Sequence, residues 1–234
     1  MRIALAEDEQ DLREQLAAIV VAGGHDIEVF ANGKSLQTAL KRDTYDVVLL
    51  DWNMPGLTGL DVLNWAAEHM ECPPAFIMIT SRSATDDVVR ALEAGAVDYI
   101  IKPEADEIIR ARLEAAGRRI GFANSEARAE FGKYVLDRKA KTIEFDGEAI
   151  AVTAKEFDLA DLMFQNVDKP LSRAYLFARV WGSDVELETR TIDVHISRLR
   201  SKLKLEPGNG FVVRTVFGFG YRMDGYIDTL TAVE

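Results

Sequence analysis

The chain has 234 residues, 48% of them hydrophobic and 29% charged, and a formal net charge of −11. No apolar run approaches the roughly 20 residues that cross a bilayer, and acid at Glu7 and Asp8 arrives too early for a secretory core. The single cysteine, Cys72, excludes an internal disulfide and suits a reducing cytosol, so a cytoplasmic protein without a membrane partner is expected.

Strands and helices alternate through the first half. Arg2–Ala6 is a predicted strand, followed by a helix over residues 11–22 that ends at Gly23-Gly24, as helices do at a glycine cap. Next come strand Asp26–Phe30, a helix near residues 35–42 and strand 47–51 with the turn Asn53-Met54-Pro55-Gly56. Helix Gly59–His69 leads to a strand ending at Thr80. Helix 86–93, strand 97–101 and helix Asp106–Arg119 complete this half. Short runs rich in Val and Ile read as strands buried on both faces. The alternation predicts right-handed crossovers and an α/β, doubly wound, five-stranded parallel sheet, with order 2-1-3-4-5.

Each of four strands stops at a residue suited to phosphoryl chemistry: Glu7 and Asp8, Asp51, Thr80, and Lys102. Ligands of such sheets gather outside the strands' carboxyl ends, so these tips should converge. Three carboxylates in one place repel unless charge is offset, and Mg²⁺ suits a few carboxylates together with water and phosphate. Asp51 is the expected nucleophile, able to form an aspartyl phosphate. Lys102 would neutralise the phosphoryl oxygens and Thr80 would hydrogen-bond one of them.

These tips, with Asp51-Trp52-Asn53-Met54-Pro55-Gly56, Thr80-Ser81 and Asp98-Tyr99-Ile100-Ile101-Lys102-Pro103, resemble the receiver domain of two-component response regulators. The resemblance covers residues 1–119. It implies that a sensor histidine kinase phosphorylates Asp51, that Asp8 and Asp51 bind Mg²⁺, that Glu7 acts through a water and that the Asn53 backbone carbonyl completes the set. Tyr99 would switch inward as Thr80 moves toward the phosphate, and Lys102-Pro103 would be cis. Arg82 and Asn53 occupy the positions that tune autodephosphorylation. Glu93, Asp98, Arg112 and Arg119 match the face through which phosphorylated receivers form a homodimer. Val97 and Ile108 stand where that face commonly carries charge, Glu104 replaces a usual Phe, and Trp52 is bulky for its position.

The second half has a different pattern. Residues 134–136, 142–145 and 149–152 are short predicted strands with turns between them, an antiparallel signal. Thr153-Ala154-Lys155-Glu156 is a capping box opening a helix to Gln165. Ser172 caps a second helix to Trp181. A polar loop, residues 182–188, precedes a third helix over residues 189–203, and residues 211–216 and 221–223 form a hairpin about Gly218-Phe219-Gly220. Together they predict a smaller α+β winged helix-turn-helix.

Charge also separates the halves. Residues 1–119 hold 12 basic against 21 acidic residues, whereas residues 190–204 hold Arg190, Arg198, Arg200, Lys202 and Lys204 against Asp193 alone. A basic stripe on one helix is the electrostatic footprint of nucleic acid. Ile192, Ile196, Leu199 and Leu203 are spaced to face a core, leaving Arg190, Thr191, Val194, His195, Arg198 and Ser201 outward. Such a face suits a major groove: Arg for guanine edges, an apolar group for thymine methyls, hydroxyl and imidazole for phosphates.

Residues 131–223 resemble the winged-helix output domain of the OmpR/PhoB subfamily, through residues 152–157, Leu171-Ser172-Arg173, Val180-Trp181-Gly182, residues 190–203 and residues 215–222. The resemblance implies base reading by Arg198 beside Val194, phosphate contacts from Arg190, Thr191, His195 and Arg200, and a polymerase-facing loop at residues 182–188. Phe217 stands where many relatives carry a wing arginine. The expected organisation is a receiver at 1–119, a linker at 120–130, a winged helix at 131–226 and a tail at 227–234. The expected function is a DNA-binding transcriptional regulator activated by Mg²⁺-dependent phosphorylation, with RNA polymerase a further partner. Two alternatives stand beside it. A haloacid dehalogenase-type phosphohydrolase needs a second Asp two residues after the nucleophile, where this chain has Asn53. A phosphorylation-independent regulator would use the receiver for dimerisation alone.

Overall fold

In a computed structural model the chain divides into two compact units, Met1–Asn124 and Ser125–Glu234. Residues 1–119, 127–182 and 189–226 are described. Most of the expected linker, nearly all of the expected polymerase-facing loop and the tail lie outside the described residues.

Five strands build the first unit: β1 (Arg2–Ala6), β2 (Asp26–Phe30), β3 (Val47–Leu50), β4 (Ala75–Thr80) and β5 (Asp98–Ile101). Their spatial order is β2-β1-β3-β4-β5, parallel throughout. Crossover helices are α1 (Gln10–Ala22), α2 (Gly33–Leu40), α3 (Gly59–His69), α4 (Thr85–Glu93) and α5 (Asp106–Arg119). Strand side chains alternate between faces. Ile3, Leu5, Val47, Leu49 and Ile77 therefore pack with Leu16 and Ile19 of α1 and Leu113 of α5. Ala4, Ala6, Val48, Leu50 and Met78 pack on the other side with Leu36, Val62, Leu63 and Ala91. Two covered faces explain why β3 and β4 are apolar at consecutive positions. Caps fix where helices begin: Asn32 accepts from the Ser35 N–H, and Thr58 and Asp61 form a capping box.

In the second unit β6 (Arg128–Phe131), β7 (Tyr134–Asp137), β8 (Thr142–Phe145) and β9 (Glu148–Ile150) form an antiparallel meander. Strand β6 was not expected. It draws on residues 128–130, assigned above to the linker, because only its alternate residues are partly buried and its charged Arg128 and Glu130 hide the pattern. After it come α6 (Ala154–Gln165), β10 (Leu171–Ser172), α7 (Arg173–Trp181), α8 (Thr189–Lys202), a 3-10 turn at Pro207–Asn209, β11 (Phe211–Val216) and β12 (Gly220–Gly225). The second sheet has the order β10-β12-β11. One core joins Phe157, Met163 and Phe164 of α6 to Leu176 of α7, Ile192, Ile196 and Leu199 of α8, and Met223 of β12. Tyr134 is wholly buried among Phe145, Phe164 and Phe211, and donates its hydroxyl to the Leu203 carbonyl at 2.7 Å. No described helix is long and apolar enough to cross a membrane.

Candidate functional site

The carboxyl ends of β1, β3 and β5 meet at one acidic pocket. Lys102, directly after β5, places Nζ 2.5 Å from Glu7 Oε2 and 2.8 Å from Asp51 Oδ1. Glu7 and Asp51 are buried and Asp8 is exposed, yet ligand oxygens of all three lie within 4.8 Å of one another. Three carboxylates against one ammonium leave surplus negative charge, and a set of hard oxygen donors fits Mg²⁺. Burial pushes the Glu7 carboxyl above its ordinary value despite Lys102. For Lys102 burial acts to lower the value, but the hydrogen bonds to Asp51 and Glu7 prevail and hold it raised.

The other carboxylate oxygen of Asp51 accepts from the Asn53 N–H at 2.7 Å, so this carboxylate is oriented from two sides. Gly59, at the start of α3, is required by close approach: a Cβ there would lie 2.1 Å from the Asp51 carbonyl oxygen. Thr80, wholly buried at the end of β4, has its hydroxyl 3.4 Å from the Arg82 N–H. The Tyr99 ring is packed inward and its hydroxyl donates to the Arg82 carbonyl at 2.9 Å. Lys102-Pro103 is cis.

Arg13 and Arg90, which the sequence alone did not single out, join Arg82, Asn53 and Trp52 around the pocket. Arg13 of α1 donates to the Glu7 carbonyl at 2.7 Å, holding the turn after β1. Arg82 donates from Nε to Asn53 Oδ1 at 2.9 Å, pairs with Asp87 and lies 5.1 Å above the buried Trp52 ring, which Arg90 also approaches. The bulky side chain after Asp51 is thus a platform for two guanidinium groups. Spacing within the sequence gives no sign of this, since 29 residues separate Arg82 from Asn53.

Of the four expected dimer-face residues, Arg112 donates from Nη1 to both carboxylate oxygens of Asp98, at 2.8 and 2.9 Å. Arg119 donates to the Val97 carbonyl, and Glu93 is exposed at the end of α4. Val89 and Leu92 of α4, Ile101 of β5 and Ile108 of α5 are exposed apolar neighbours of these charges in sequence.

On α8, Ile192, Ile196 and Leu199 face the core, followed by buried Leu203 just past its end, while Arg190, Val194 and Arg198 are exposed. His195 donates from Nδ1 to the Thr191 carbonyl at 2.8 Å, and its ring meets Trp181 edge-on. Arg200 differs from its neighbours. It donates to the Val213 carbonyl at 2.9 Å and to Thr215 Oγ1 at 3.3 Å, with its guanidinium over Tyr221. This cation braces the hairpin on the helix, a task its basic side chain alone does not reveal. Asp193 accepts from the Tyr221 hydroxyl at 2.6 Å and from Arg173 Nε at 3.0 Å. The Tyr221 hydroxyl holds the Asp193 carboxyl below its ordinary value, with Arg173 adding to the effect.

Residues 3–114 match the response regulator receiver domain family, and residues 147–223 match the family of the C-terminal domain of transcriptional regulatory proteins. The sensory transduction protein RegX3 of Mycolicibacterium smegmatis is 36% identical over 228 residues, spanning 95% of this chain and 99% of the relative. The DNA-binding response regulator MtrA of the same species is 35% identical, spanning 94% and 96%. A solved structure of the response regulator DrrB of Thermotoga maritima is 24% identical with a TM-score of 0.46, covering 96% of this chain and 99% of that one. The chain therefore belongs to the OmpR/PhoB-type two-component response regulators, with a receiver domain, whose family binds Mg²⁺ at an acidic site, joined to a DNA-binding output domain.

Proposed function

We propose that Asp51 is the phosphoacceptor of a transcriptional switch driven by a sensor histidine kinase. The observation that carries this is the Lys102 ammonium held between Glu7 and Asp51. In the transfer, an Asp51 carboxylate oxygen attacks phosphorus, the P–O bond forms, and the P–N bond to the donor imidazole breaks. Asp8, Asp51 and the Asn53 carbonyl would hold Mg²⁺, with Glu7 acting through water; the ion would neutralise negative charge on the transferring group. Lys102 exchanges its bond to Asp51 for one to a phosphoryl oxygen, and Thr80 Oγ1 donates to another. Tyr99 and Arg82 carry the resulting shift of the Thr80 segment toward α4 and β5, and a homodimer forms on that face.

On the output side Arg198 reads bases beside Val194, while Arg190, Thr191 and His195 hold phosphates. Arg200 contributes to DNA binding by fixing the hairpin against α8. The protein acts in the cytosol on double-stranded DNA, and residues 182–188 meet RNA polymerase. Asp51→Asn with Mg²⁺ and acetyl phosphate is expected to show no phosphoryl labelling, measured by intact mass; labelling that persists would refute the acceptor assignment. The second reading, a receiver that serves dimerisation alone, draws on the Asp98–Arg112 pair being closed within one protomer and on the apolar residues beside it.

A further inference from the structure

Phe217 is 99% exposed, the most exposed large apolar side chain among the described residues. It sits at the tip of the β11–β12 hairpin, in a four-residue turn closed by the Phe219 N–H donating to the Val216 carbonyl at 3.1 Å. Gly218 has φ 71°, the left-handed conformation that such a turn requires at its third position. The tip is therefore a defined projection and not a loose loop.

Two features fix what that projection presents. The hairpin is tied to α8 through Arg200, whose contacts to Val213 and Thr215 stop two residues short of Phe217. At about 3.3 Å per strand residue, the Phe217 backbone lies up to about 7 Å along the chain beyond that brace. Secondly, the hairpin's cations are drawn away from the tip. Arg214 and Arg222 both pair with Asp224 at 2.6 Å, and Asp224 opposes Val212 toward the hairpin's base. From Thr215 to Tyr221 the hairpin carries no charge. A tip beside a DNA-reading helix thus offers a phenyl ring where phosphate attraction would demand a cation.

We propose that Phe217 is an apolar wedge that enters the minor groove beside the major groove occupied by α8 and partly unstacks one base step. The inference rests on α8 being the reading helix. Apolar side chains inserted from the minor groove unstack steps and kink the duplex. Pyrimidine–purine steps such as TA and CA yield most easily, so the wedge confers sequence preference through deformability. Phe217 is then a specificity-determining residue at a position where no hydrogen bond to a base is made.

The test uses the full-length chain and duplexes that it selects from a random-sequence pool in the presence of Mg²⁺ and beryllofluoride. 2-Aminopurine is placed in turn at each step flanking the selected half-sites. The wild-type protein is expected to raise the fluorescence at one pyrimidine–purine step. Phe217→Ala is expected to abolish that rise and to weaken binding about tenfold, with a smaller loss on a stiff A-tract flank. Phe217→Arg is expected to bind without the rise and to steepen the salt dependence by about one counterion. Tight wild-type binding with no unstacking at any step would overturn the wedge, as would a rise that survives in Phe217→Ala. So would a Phe217→Ala variant that binds and unstacks normally but retains less RNA polymerase on the duplex, which would give the tip to a protein partner. Arg198→Ala separates the two assignments: unchanged sequence preference there refutes the reading helix, whereas Arg198-dependent binding without unstacking refutes the wedge alone.

Discussion

Arg198 and Arg200 lie two positions apart on one helix and serve different ends. Arg200 spends its donors on the hairpin, whereas Arg198 is exposed beside Val194, which is 47% exposed. Residues two apart on a helix do not share a face, so the two cations diverge even though both look basic in the sequence. Arg198→Ala is expected to cost about 1–3 kcal/mol on a selected site and to relax preference at one base position, read from binding to a panel of single-base variants. A uniform loss across the panel would make Arg198 a phosphate contact. Asp193 shows the opposite economy: an acid on the basic helix that holds Arg173 and Tyr221 in place. Among charged side chains, the partner decides the role, and the partner is set by the fold.

At the scale of elements, α6 is anchored at its start. Glu156 is nearly fully buried, its carboxylate accepts from the Thr153 N–H at 2.8 Å, and Lys202, the last residue of α8, donates to it at 2.7 Å. Burial works to raise its pKa, but the Lys202 and Thr153 hydrogen bonds outweigh burial and hold it below the ordinary 4.5. A depressed acid stabilises the fold above its unfolded value, and that stability is lost as pH falls through the folded value. The second unit is therefore expected to weaken on acidification below about pH 4.5, and Glu156→Gln should flatten this dependence. At neutral pH the variant should lose about 1–2 kcal/mol. Urea unfolding followed by Trp181 fluorescence, with Trp52 and Trp65 replaced by Phe, measures both, and an unchanged pH profile would remove Glu156 from the anchor. The capping box was plain in the sequence, because Thr153 and Glu156 are three apart. Lys202 as its partner was not, since 46 residues intervene.

For the whole molecule, the α4–β5–α5 side of the receiver combines an ion pair already closed within the protomer with exposed Val89, Leu92, Ile101 and Ile108. Apolar contact is therefore expected to carry dimerisation more than intersubunit ion pairs. Sedimentation with Mg²⁺ and beryllofluoride should show a dimer that persists at about 0.5 M salt, where exposed ion pairs are screened, and Leu92→Asp should return it to monomer. A dimer dissolved by salt would restore the charged residues to the leading role. The sequence by itself determined the parallel sheet, the winged helix and the acidic strand tips. Composition and period report burial on one or two faces, and a strand's end in sequence is also its end in space. Only the tertiary structure decided that Lys102 bridges Glu7 and Asp51, that Trp52 supports Arg82 and Arg90, that β6 joins the meander, and that Arg200 serves the hairpin. Those are contacts between residues far apart in the chain, and charge or aromaticity at one position carries no record of the partner that folding brings to it.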